Sequence, residues 1–201
     1  MLRVLVVFCL LSTSAFGANE RLNPNLASEA ELAALAGIGP ELAAAIVAGR
    51  PYLDPEDLDA SLSGAMDPAA RQAVYASLFR PLNLNTAEET VIELIPGMTP
   101  KMVHEFEEYR PYTSMAQFRR EMSKYVDEAE VERLASYVFV PVSLNEATRD
   151  QIMAIPGMTS RMAHEFEEYR PYRSLDEFRR EIGKYVSEVE VRRLESYVTL
   201  D

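Results

Sequence analysis

The chain repeats itself every 60 residues, three times without a gap. Gly37, Gly97 and Gly157 fall at one phase of the repeat, Asn25, Asn85 and Asn145 at another. Arg50-Pro51-Tyr52, Arg110-Pro111-Tyr112 and Arg170-Pro171-Tyr172 mark a third. The second and third units (82–141 and 142–201) are identical at about 35 of 60 positions, including the run HEFEEYRPY. A fixed period of this length means one supersecondary unit copied and strung together, and such arrays are most often binding proteins. The unit is too short to bury a large core by itself, so neighbouring units are expected to touch.

Within a unit the signals are those of four short helices and no strand. In the second unit, Thr86 with Glu89 reads as a capping box ahead of a helix carrying Val91, Ile92, Leu94 and Ile95. Pro96-Gly97-Met98-Thr99 breaks that helix. Thr99 then caps a second one, with Pro100 in the favoured first position. There Met102, Phe106 and Tyr109 recur at helical spacing and are expected to face inward, with His104, Glu105, Glu107 and Glu108 pointing away. Arg110-Pro111 ends it. Ser114 and Asp127 cap the third and fourth helices. The third unit offers Ser174 with Glu177 and Ser187 with Glu190 as two further capping boxes; the first uses Asp54-Pro55 and Asp67-Pro68. The expected fold is all-α, about four short helices per unit, with units at 18–80, 81–140 and 141–201.

Leu35-Ala36-Gly37-Ile38-Gly39-Pro40-Glu41, with the Asn-x-Asn-x-Ala lead-in and the later Arg50, resembles the helix-hairpin-helix module of the ComEA-like competence DNA-receptor family. The resemblance runs through nearly all of the chain beyond its first residues, as three divergent copies. It implies three tandem domains of paired helix-hairpin-helix motifs and non-sequence-specific DNA binding. In such a module a Gly-x-Gly turn brings the backbone close to a phosphate, and the next helix aims its free N–H groups and positive dipole end at it. The corresponding residues are Gly37, Ile38 and Gly39, then Gly97 with Lys101, and Gly157 with Arg161.

No unit carries the full set. The first keeps both glycines but puts Glu41 where the cation belongs. The second and third have Lys101 and Arg161 but replace the second glycine with Thr99 and Thr159. The overall charge points the same way. Beyond residue 17 there are 19 basic and 32 acidic residues, a balance of −13, split −5, −5 and −3 among the units. A chain acidic in every unit repels DNA at long range, and phosphate neutralisation by Lys and Arg is what normally holds DNA.

Arg119, Arg120 and Lys124, with Arg179, Arg180 and Lys184, form the best candidate basic patch, and Arg192 and Arg193 extend it. These side chains either meet phosphates or pair with the acidic run of an adjacent unit; pairing is the favoured reading. The run His104, Glu105, Glu107, Glu108 and its copy His164, Glu165, Glu167, Glu168 reads either as a solvated helix face or as a docking face for a basic partner. One His and one Glu four residues apart fall short of a metal site, so neither metal nor cofactor is expected. No nucleophile–base set, nucleotide-cradling loop or small-molecule site is visible, so an enzyme is not expected. Met1-Leu2-Arg3, the apolar run Val4 to Leu11 and the small residues around Gly17 have the form of a secretory signal peptide over 1–17, which contains the lone Cys9. The sequence therefore predicts an exported protein, periplasmic or extracellular, that docks protein partners, for instance as an extrinsic subunit of a membrane-anchored assembly. The alternative is a DNA receptor or uptake factor.

Overall fold

The computed structural model describes residues 21–200, so the segment read as a signal peptide lies outside the described residues. The fold is mostly helical. In chain order the elements are α1 (Glu29–Ala33), α2 (Pro40–Ala48), α3 (Pro55–Ser63), α4 (Pro68–Tyr75), β1 (Leu82–Asn83), α5 (Glu89–Ile92), α6 (Pro100–Glu108), α7 (Met115–Met122), α8 (Glu128–Ala135), β2 (Val138–Phe139), β3 (Val142–Ser143), α9 (Arg149–Met153), α10 (Ser160–Glu168), α11 (Leu175–Ile182), α12 (Glu188–Glu195) and β4 (Val198–Thr199). Each 60-residue unit thus carries four helices.

The helix starts follow from the side chains at their caps. Thr99, Ser114 and Asp127 each accept a hydrogen bond from the backbone N–H three residues on, as do Asp54 and Asp67. Each such cap is worth about 1 kcal/mol. Two expectations need correction. Thr86 caps nothing: α5 starts at Glu89 behind Glu88, without a side-chain cap. In the third unit Ser174 and Ser187 do cap, but the boxes are incomplete. Glu177 reaches back to the Arg173 N–H at 2.8 Å, and Glu190 turns to Arg193.

Short strands exist where none was expected. The lead-in of each unit lies parallel to the segment that closes it: Leu82 opposite Val138, Val142 opposite Val198, and a single bridge between Leu22 and Leu78. The strands are only two residues long, too short for a period-2 pattern to show, and the partners are 56 residues apart, so no local signal announces them.

The repeated Asn and Arg-Pro-Tyr residues form a clasp. Asn25, Asn85 and Asn145 each accept from the N–H of the tyrosine 27 residues on and donate to its carbonyl, at 2.7–3.0 Å. Arg110 Nε donates to Leu84 O and Nη2 to Ala87 O, both at 2.6 Å. Arg50 and Arg170 reach the equivalent carbonyls of Pro24 and Leu144. Each arginine–proline bond is cis. The clasp satisfies backbone groups that neither helix nor sheet could reach.

Phe106, Tyr112, Phe118 and Met122 fill the centre of the second unit, and Phe166, Tyr172, Phe178 and Ile182 that of the third. The core of the first two units is continuous. The joints are aromatic: Phe79 meets Tyr137 edge-on at 5.0 Å, and Phe139 meets Tyr197 at 4.6 Å. Arg80, fully buried, donates to Ser196 Oγ at 2.8 Å and lies over the Tyr197 ring. The first unit also reaches the third directly, Asn23 donating to the Tyr197 hydroxyl at 3.4 Å. Among the described residues no helix is long and apolar enough to cross a membrane.

Candidate functional site

The turn residues Gly37, Gly97 and Gly157 adopt φ of +85°, +79° and +75°. This region is costly for any residue with a Cβ, so glycine is required there. Gly39 is different. Its φ is −84°, it occupies the N-cap of α2, and a Cβ there would meet nothing within 4 Å. Thr99 and Thr159 occupy the same N-cap in the other units, and their hydroxyls accept from the Met102 and Met162 N–H at 3.3 and 3.2 Å. The second glycine is thus a cap position rather than a steric requirement. Where threonine fills it, one of the N–H groups an anion would need is already taken.

Each turn is backed by different residues. Gly37 faces Val74 and Met66 of its own unit. Gly97 faces Arg133, whose guanidinium donates to Pro96 O at 2.8 Å and grips Glu130 through two nitrogens. Gly157 faces Arg193, which does the same with Pro156 O and Glu190, and also Leu26 of the first unit. A Cβ at Gly157 would lie 2.8 Å from Leu26 Cδ2. Arg193 is 2% exposed, so it does not extend the basic patch as expected but braces a turn from beneath.

The six patch residues are all paired, but not with the acidic run of a neighbouring unit. Arg119 holds Glu132 through two nitrogens, at 2.7 and 3.1 Å. Arg120 and Lys124 share Glu121. In the third unit Arg179 holds Glu195 and Asp176, while Arg180 and Lys184 share Glu181. Every partner belongs to the same unit. Arg192 stands where the second unit has Glu132, so Arg179 turns instead to Glu195 and Arg192 is left over. Hydrogen bonds from Lys124 and Arg120 hold the Glu121 carboxyl below its ordinary pKa, and Lys184 and Arg180 do the same to Glu181.

Among the described residues, four cationic side chains have no carboxylate or hydrogen-bond partner: Lys101, Arg161, Arg173 and Arg192. Lys101 and Arg161 sit in the first turns of α6 and α10, each facing a tyrosine ring, Tyr125 at 5.3 Å and Tyr185 at 6.0 Å. Lys124 and Lys184 lie over the partner rings, Tyr109 and Tyr169. The tyrosines are joined hydroxyl to hydroxyl at 2.7 Å in one unit and 2.8 Å in the other. Residues from the turn and from the patch therefore converge on one tyrosine pair in each of these two units. The first unit has Gly49 and Ala65 in its place.

The acidic faces divide. His104, Glu107 and Glu108 lie on the surface of α6, and His164, Glu167 and Glu168 on that of α10. His104 Nε2 is 4.0 Å from Glu108, and His164 is 3.3 Å from Glu168. Arg110 approaches Glu107 at 3.5 Å and Arg149 binds Glu167 at 2.6 Å. Glu105 and Glu165 do not share that face: they are 8% and 7% exposed and sit beneath the tyrosine pair. The hydrogen bond with Tyr109, then the one with Glu105, raises the Tyr125 phenol above its ordinary range; Tyr185 is raised in the same way by Tyr169 and Glu165. These glutamates fall at i+4 from Lys101 and Arg161, one residue off the solvated stripe, which is why their charge misleads a pattern-based reading. Among the described residues no three metal-ligating side chains cluster. Comparisons with protein-family models, with curated proteins and with solved structures returned no match for this chain.

Proposed function

We propose that this chain is an exported, non-catalytic docking protein: three tandem units of paired helix-hairpin-helix motifs presenting acidic helix faces to a basic protein surface. One observation carries the reading. The cations of the candidate patch are consumed by carboxylates of their own units, while Glu41, Glu56, Glu88, Glu128 and Glu188 have no ion-pair partner among the described residues. What remains for an approaching molecule is mostly negative potential, which favours basic partners and disfavours nucleic acid. The surfaces of α6 and α10 are the docking faces: Glu108 and Glu168 face only a histidine there, and Glu107 and Glu167, beside them, would exchange Arg110 and Arg149 for a partner's cations. An extrinsic subunit of a membrane-anchored assembly is one form such a protein takes.

A second reading, a DNA receptor, is favoured by a different observation: Lys101 and Arg161 remain unpaired beside the positive-φ turns of Gly97 and Gly157. Fluorescence anisotropy separates the two. The purified chain is titrated against a labelled lysine- and arginine-rich peptide and against labelled duplex DNA, at low and at physiological salt. Docking through acidic faces requires salt-sensitive binding of the peptide and none of the duplex. Tight duplex binding that weakens steeply with salt would establish the receptor instead.

A further inference from the structure

The two joints between units are built from the same residue types in the same polarity, with Arg80 one position earlier in the repeat than Arg21. The arginine just ahead of one unit's lead-in crosses to a Ser-Tyr pair in the following unit, and the aromatic residue that closes the first unit packs on the same tyrosine. At the first joint Arg21 donates to Ser136 Oγ at 2.9 Å, its guanidinium lies 3.3 Å from the Tyr137 ring centre, and Phe79 meets that ring edge-on. At the second, Arg80 donates to Ser196 Oγ at 2.8 Å and lies 4.1 Å from the Tyr197 ring, with Phe139 against it. Tyr137 and Tyr197 are each 1% exposed. A guanidinium stacked on a ring and fixed by a hydroxyl is a directional contact that apolar burial alone does not provide.

Both halves of this contact are absent from the outward faces. Ahead of the third unit's lead-in stands Val140 at the phase of Arg80 and Pro141 at the phase of Arg21, and the third unit has Thr199 where Phe79 and Phe139 stand. The first unit has Ala76-Ser77 in place of Ser-Tyr, and both residues are exposed. A head-to-tail interface of this polarity would otherwise propagate from molecule to molecule as an open filament. Terminal units of repeat arrays usually carry a surface altered to stop such growth. We infer that the Ser-Tyr face is a self-recognition site for an arginine–aromatic pair, used twice within the chain and removed at 76–77, 140 and 199, so that copies of this chain do not join end to end. This is independent of the docking proposal.

Adding the missing residues tests it. Ala76→Ser, Ser77→Tyr, Val140→Arg and Thr199→Phe are combined in one variant, and its mass is followed by light scattering across a concentration series. The unaltered chain should hold the mass of one molecule throughout, whereas the variant should grow with concentration and retain its helical circular dichroism. Concentration-dependent growth of the unaltered chain, or a folded variant that stays single, would overturn the inference. If the fourfold variant fails to fold, Phe139→Thr alone asks the same question by subtraction. It should release the third unit, enlarging the hydrodynamic radius and exposing residues 139–143 to protease at unchanged helical content. An unchanged radius and cleavage pattern there would show that the aromatic contact does not hold the joint, and would overturn the inference too.

Discussion

Asn85 binds both backbone polar groups of Tyr112, accepting from its N–H at 2.7 Å and donating to its carbonyl at 2.9 Å. The side chain thus acts as a stretch of backbone. It ties the lead-in of the unit to the turn after α6 and leaves neither group of Tyr112 unmet. Replacing Asn85 with Ala should cost about 1–3 kcal/mol, the penalty for stranding buried polar groups. Chemical denaturation measures it. A loss no larger than that of a surface substitution would mean that water replaces the amide.

The turn glycines should differ sharply from the cap glycine. Gly97→Ala forces a Cβ into the left-handed region and should destabilise by about 1–2 kcal/mol. Gly39→Ser meets no strain and open space and places a favoured capping residue at the N-cap, so its effect should fall within a few tenths of a kcal/mol. Parallel thermal melts of the two variants check the contrast.

Acid should loosen the second halves of the second and third units. Glu121, Glu130, Glu132 and Glu181 are all held below the ordinary glutamate value by hydrogen bonds from arginine or lysine. A group whose pKa is lower folded than unfolded stabilises the fold above the unfolded value, about 4.3, and loses that contribution as pH falls through the folded value. Stability should therefore be flat from pH 7 to pH 5 and decline below about pH 4. Denaturation midpoints across that range provide the measurement. Glu121→Gln and Glu181→Gln together should flatten the acid limb.

Docking should depend on the exposed carboxylates and not on the buried ones. Changing Glu107, Glu108, Glu167 and Glu168 to Gln should weaken peptide binding by roughly 0.5 kcal/mol per residue, in keeping with solvent-exposed pairs. Lys101→Ala with Arg161→Ala should leave peptide binding unchanged or slightly stronger. Those two substitutions would abolish binding only if the ligand were an anion.

The period, the turn glycines and most of the caps were legible in the sequence because each is local. Thr99, Ser114 and Asp127 act on an N–H three residues away, within the reach of a short pattern. The clasp was visible only as punctuation: Asn85 and Tyr112 repeat in step, but nothing in their spacing states that one binds the other. A carboxylate in a charged run reads as solvated, whereas the position of Glu105 on α6 places it under Tyr125. The patch was half-legible. Pairing with an adjacent unit is the expectation for Arg119, Arg120 and Lys124, yet Glu121, one and three residues away, takes Arg120 and Lys124, and Glu132 meets Arg119 only because α7 and α8 lie side by side. The joint contacts leave no local signal, because Arg80 and Ser196 lie 116 positions apart.

The parallel pairing of Leu82 with Val138 sets the incoming and outgoing chain of the second unit side by side and pointing the same way. Tension drawn along the polypeptide would pull those segments past each other, so that the Leu82 and Leu84 N–H bonds to the Tyr137 and Phe139 carbonyls resist in shear rather than parting one at a time. The third unit repeats the arrangement with Val142 and Leu144. A stretched molecule would shield each helical bundle behind its own short parallel lock, and lengthening should come in discrete steps, one unit at a time.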